Sequence, residues 1–113
     1  MSAYAIAHLR AVQVGPDIVE YLERIDATLE PFGGRFIIHG ATPEVREDAF
    51  PGTIVVIEFP DRAAATAWYE SPAYQAILPL RTDNSVGTVL LIDGVDDDHR
   101  ATDVLEPDRD LRV

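Results

Sequence analysis

The sequence predicts an α+β fold in the order strand, helix, strand, strand, helix, strand, and three observations carry that prediction. The stretch AYAIAHLRAV near the start alternates small and large side chains with period two. PDIVEYLERIDATL repeats apolar residues at spacings of three and four. TIVVIEF and VGTVLLID are short, β-branched, apolar runs flanking an alanine-rich segment.

In chain order, Ala3 to Val12 carries a small face of Ala3, Ala5, Ala7 and Ala11 opposite Tyr4, Ile6, His8, Arg10 and Val12, the pattern of a strand. Gly15-Pro16-Asp17 breaks it, and Ile18, Tyr21, Leu22, Ile25 and Leu29 then line one side of an amphipathic helix that Pro31 and Gly33-Gly34 end. Arg35 to His39, RFIIH, is a second strand. Gly40 to Gly52 holds two glycines, two prolines and four charges and reads as a long loop with room for a turn of helix. A connection of this length in a compact domain is often functional. Thr53 to Phe59 suits a central strand covered on both faces, with Glu58 as its anomaly. Asp61 is placed to cap a helix opening at Arg62, which the alanines propagate. Ser71-Pro72 supplies a second N-cap and a proline at the first helical position, so one helix stops near Glu70 and another starts in a new direction. Val86 to Asp93 is the fourth strand. Beyond Gly94 the chain has seven acids against three arginines, so residues 1–94 are expected to form the folded domain and 95–113 an acidic tail that is flexible or crosses to a partner.

This order matches the ferredoxin-like βαββαβ arrangement, an antiparallel four-stranded sheet with two helices on one face. The other sheet face is then bare. The third and fourth strands are apolar at both parities, so that face should be buried, most simply against a second copy, and a homodimer is expected.

Composition bounds the function classes. A chain of 113 residues makes one domain with a real core. The absence of cysteine removes disulfides, thiolate metal sites and cysteine nucleophiles. A net charge of -11 disfavours nucleic acid and anionic membranes as partners. No apolar run is long enough to span a bilayer and the start is a poor signal peptide, so a cytoplasmic location is expected. All nine basic residues are arginine, a pattern that functional guanidiniums would give but that coding bias in a GC-rich bacterial genome gives more often.

The run IEFPDRAAATAWYESPAYQAILPLR, with AYAIAHLRAV and FGGRFIIHG, resembles the domain of unknown function 1330 family over about the first 94 residues. The glycine pair before the second strand is matched by Gly33 and Gly34, and the Glu-Phe-Pro strand end by Glu58, Phe59 and Pro60. The Trp-Tyr-x-Ser-Pro-x-Tyr segment and following arginine are matched by Trp68, Tyr69, Ser71, Pro72, Tyr74 and Arg81. Where members often carry Glu-Gly-x-Trp before the third strand, this chain has Glu47, Asp48, Ala49 and Phe50. The resemblance implies pairing as a dimeric α/β barrel, sheet to sheet. Related barrels often hold a small organic ligand between helices and sheet, and include cofactor-free oxygenases, isomerases and haem-degrading enzymes.

Within that frame, Tyr74, Ile77, Leu78 and Arg81 share one helical face, so a phenol, an aliphatic wall and a guanidinium could line a pocket. A buried Arg81 needs an anionic partner, either Glu58 in a structural ion pair or the carboxylate or enolate of a ligand. Trp68 and Tyr69 line a pocket mouth or fill the core. His8 and His39 are strand residues able to move a proton near neutral pH. The expected catalytic set is therefore His39, Glu58 and Arg81, and the expected ligand-binding set His8, Trp68, Tyr69 and Tyr74. His8, His39 and Glu58 lack close ligand spacing, so no metal is expected, and no cofactor. Ser71 is accounted for as a cap, and Gly33-Gly34 precedes a strand rather than a phosphate-binding helix. Two readings follow: a cofactor-independent isomerase or oxygenase acting on a small organic acid or aromatic compound, or a non-catalytic ligand-binding or structural dimer whose aromatics are core.

Overall fold

The computed structural model describes residues 1–105. Strand β1 is Ala3–Val12, helix α1 Pro16–Leu29, β2 Arg35–Ile38, β3 Thr53–Phe59, α2 Arg62–Glu70, α3 Pro72–Thr82 and β4 Ser85–Asp93. The strands form one antiparallel sheet in the order β2-β3-β1-β4. The architecture is α+β and ferredoxin-like, with the second helix split in two.

Ser71 makes the split. Its hydroxyl donates to the Trp68 carbonyl (2.7 Å), closing α2, and accepts from the Tyr74 amide (3.2 Å), opening α3. Asp61 caps α2 by accepting from the Ala64 amide at 2.8 Å. These caps satisfy amides that the first helical turn leaves orphaned. The glycine pair also divides its work. Gly33 turns the chain out of α1 in the left-handed region (φ 70°), while a Cβ on Gly34 would lie 2.7 Å from Phe59 and 2.8 Å from Leu29.

Register sorts β1 onto two sides. Ala5 lies beside Ile57 and Leu91, and Ala7 beside Val55 and Val89. This is the side the helices cover, and the core gathers Ala5, Ile57 and Phe59 with Tyr21, Ile25, Leu29, Trp68, Tyr74 and Ile77. On the opposite side Tyr4 lies between Glu58 and Ile92, Ile6 between Val56 and Leu90, and His8 between Ile54 and Thr88. Among the described residues, Leu90 and Ile92 on that side are left 44% and 48% exposed.

The Gly40 to Gly52 connection contains no turn of helix. Its end folds onto the uncovered side, where Phe50 stacks on His8 at 4.2 Å and His8 Nε2 donates to the Pro51 carbonyl at 2.6 Å. Past β4, the Gly94 amide donates to the Ser2 carbonyl and Ala101–Val104 forms a short 3-10 turn. The remainder of the expected tail, 106–113, lies outside the described residues. No helix among the described residues is long and apolar enough to cross a membrane.

Candidate ligand cavity

A cavity of about 270 Å³ lies between the helices and the sheet. Its origin is the small face of β1: helices standing at normal packing distance over Ala5 and Ala7 leave unfilled the space that larger side chains would take. At ~30 Å³ per water, the volume equals roughly nine waters, the scale of a single ring bearing an acid group. The floor is Ala5, Ala7, Val55, Ile57 and Val89, and Ile18, Tyr21, Ile25, Trp68 and Tyr74 close the helix side. Exposed lining residues Val12, Val14, Leu22, His39 and Gly40 mark the opening, at the end of the sheet where β1 and β2 finish.

Arg81 brings charge into these apolar walls. Helical side chains lean toward the N-terminus, so from the last turn of α3 its guanidinium reaches back toward Tyr74 and Tyr21. It is 9% exposed, with Cζ 5.9 Å from the centre of the Tyr21 ring. The Tyr21 and Tyr74 hydroxyls share a hydrogen bond of 2.7 Å. Among the described residues no carboxylate pairs with Arg81. Burial, and next the neighbouring Tyr74, push the Tyr21 phenol far above the ordinary tyrosine range, so it stays protonated. Burial works against the Arg81 charge, but the Tyr74 and Tyr21 oxygens outweigh it and hold its pKa above the ordinary arginine value.

The rest of the aromatic group is spoken for by packing. Trp68 Nε1 donates to Thr28 Oγ1 (3.0 Å), which itself donates to the Ile25 carbonyl (2.6 Å), so the indole offers the cavity a ring rather than a donor. Tyr69 packs on Tyr74 and Trp68 at 5.5 and 6.1 Å without lining the cavity.

His39 reaches the cavity through an irregularity. Phe36 pairs with Ile57, yet Ile38 pairs with Val56, so two β2 residues advance against one on β3. The bulge turns His39 to the helix side, where it stacks on Phe36 at 4.4 Å and lines the opening.

Of the expected site residues, the structure therefore brings together His39, Trp68, Tyr74 and Arg81. Glu58 does not meet Arg81. It alternates with the cavity-facing Ile57, points to the uncovered side, and pairs with Arg35 through Nη2 at 2.7 Å and Nε at 3.0 Å. His8 lies on that same side, held by Phe50 and Pro51. Tyr21 is the residue sequence reasoning missed, because a tyrosine at an apolar helical position looks like ordinary core. No group of three His, Asp or Glu side chains among the described residues is gathered as a metal site.

Fold and cavity together define a ferredoxin-like α+β protein. The chain belongs to the domain of unknown function 1330 family, which it matches over residues 2–95. No curated protein matches it in sequence. Among solved structures it is similar to RPA0582, a protein of unknown function from Rhodopseudomonas palustris, with a TM-score of 0.62 and 15% identity over 84% of this chain and 83% of that one. It is also similar to a variant of SnoaB, a cofactor-independent oxygenase from Streptomyces nogalater, with a TM-score of 0.59 and 14% identity over 88% of this chain and 98% of that one. At these identities the likeness is one of fold.

Proposed function

We propose that this protein is a small-molecule-binding homodimer whose cavity takes a small organic acid, or an aromatic compound in anionic form, against Arg81. One observation carries the reading: the Arg81 guanidinium is buried in an apolar cavity where, among the described residues, its side-chain partners are the Tyr74 and Tyr21 hydroxyls and no carboxylate, so a ligand anion fits the charge left unpaired. The uncovered side of the sheet, with Leu90 and Ile92 exposed, is the surface for the second copy.

The chemistry this arrangement supports needs no cofactor. His39 at the opening takes a proton from carbon beside a carbonyl, and Arg81 stabilises the charge that develops on oxygen. Returning that proton at another position is an isomerisation in which nothing is oxidised. With dioxygen as a second substrate, the same enolate is the electron-rich species an oxygenase uses. The oxygenase SnoaB, sharing the fold, supports this class.

Calorimetric titration with 3-phenylpropionate and its neutral amide tests the binding. The acid should bind and the amide should not, and R81M should weaken the acid about ten- to a hundredfold, the range for hydrogen bonds to charged groups, while R81K retains part of the affinity. Equal binding of acid and amide would overturn the reading. Deuterium entering beside the carbonyl of a bound 2-oxo acid, and lost in H39Q, would mark catalysis. No exchange would leave a non-catalytic binding dimer.

A further inference from the structure

We infer that the Tyr21–Tyr74 hydroxyl pair reads a second oxygen on the ligand, so that the cavity selects 2-oxo acids over simple carboxylates. This rests on the anion reading of Arg81 given above. Two phenol hydroxyls 2.7 Å apart carry two protons, and their mutual hydrogen bond uses one. Both side chains line the cavity, with Tyr21 8% and Tyr74 2% exposed, so the second proton is left for whatever the cavity holds. The Arg81 guanidinium beside Tyr21 adds donors and no acceptor. The raised pKa of Tyr21 keeps its phenol in the donating, protonated form.

The cluster is therefore rich in donors, and a ligand that satisfies it brings several acceptor oxygens close together. A carboxylate takes the guanidinium through two N–H bonds. A keto oxygen on the adjacent carbon lies within reach of the spare phenol proton, and the apolar walls take the remainder. When a proton leaves the neighbouring carbon, that keto oxygen gains negative charge and the phenol bond to it strengthens. Tyr21 and Tyr74 thus set specificity and Arg81 supplies the charge.

Phenylpyruvate and 3-phenylpropionate have the same ring, length and charge and differ in the keto oxygen. Calorimetry on the intact protein should show phenylpyruvate binding about five- to tenfold more tightly, the scale of one net hydrogen bond. The double variant Y21F/Y74F removes both hydroxyls without orphaning either, and should bring phenylpyruvate down to the affinity of 3-phenylpropionate. Single variants Y21F and Y74F should each lose part of the preference. Equal binding of the two acids by the unsubstituted protein would overturn this inference and leave the anion site standing. A preference that persists in the double variant would overturn it too. Binding of neither acid would remove the anion reading and this inference together.

Discussion

The two sides of the sheet are built by one strand and come out as opposites. Toward the helices β1 sends Ala3, Ala5 and Ala7, and that side is covered yet hollow. Toward the other side it sends Tyr4, Ile6 and His8, and that side is filled yet, among the described residues, leaves Leu90 and Ile92 exposed. Covering a surface and filling it are separate acts. A side that is covered but underfilled makes a cavity for a small molecule, whereas one that is filled but uncovered makes a surface for another chain.

The largest expected effect breaks the uncovered side. L90R places a charge among Ile6, Val56 and Ile92 on a surface proposed to meet its own copy, and native mass spectrometry should shift from two chains to one. Cavity binding of 3-phenylpropionate should respond far less. A single-chain mass for the unsubstituted protein would refute the pairing.

The next effect falls on the covered side, through packing. G34A pushes a methyl group to within 2.7 Å of Phe59 and 2.8 Å of Leu29, both almost wholly buried. Overpacking of this kind costs about 1–3 kcal/mol, readable as a lowered midpoint in urea at unchanged slope. No loss would mean that Phe59 and Leu29 shift freely, against the packing described.

A smaller change in stability comes with a large change in binding. Ala7 looks into the cavity, so A7L fills space rather than displacing neighbours and should alter stability by less than about 1 kcal/mol. It should also abolish binding of both acids. If A7L binds as before, the cavity is not the site.

Particular residues show how much of this was legible. The sequence of strands and helices along the chain, the break at Ser71-Pro72 and the shared face of Tyr74, Ile77 and Arg81 follow from local chemistry that each segment carries by itself: period, caps and helical spacing. The site required pairing, which local chemistry does not encode. Glu58 and Arg81 looked like partners by charge, and only the parity of β3 against Ile57 sends them to opposite sides. His39 shares no parity with Phe36, and a bulge that no residue of RFIIH announces turns it inward. Tyr21 was hidden because its value lies in a hydroxyl met by another hydroxyl 53 residues away.

The smallest effect probes that hydroxyl through pH. The folded-state pKa of Tyr21 lies above its unfolded value of about 10, because burial, and then Tyr74, disfavour the phenolate. The neutral phenol's contribution to stability is therefore fully present below pH 10 and is lost as pH rises beyond it, since the unfolded chain ionises there and the native one resists. By linkage the loss amounts to about 1 kcal/mol between pH 10 and 11 and approaches ~1.4 kcal/mol per unit above that. Tyr4, Tyr69 and Tyr74 remain in Y21F, so the informative quantity is the difference between the two proteins in urea unfolding free energy at pH 9, 10 and 11. Y21F should decline less steeply, and the gap should open only above pH 10. Parallel declines would mean that Tyr21 ionises in the native state as readily as in the unfolded one, and a phenol so placed is not the buried donor that the ligand reading requires.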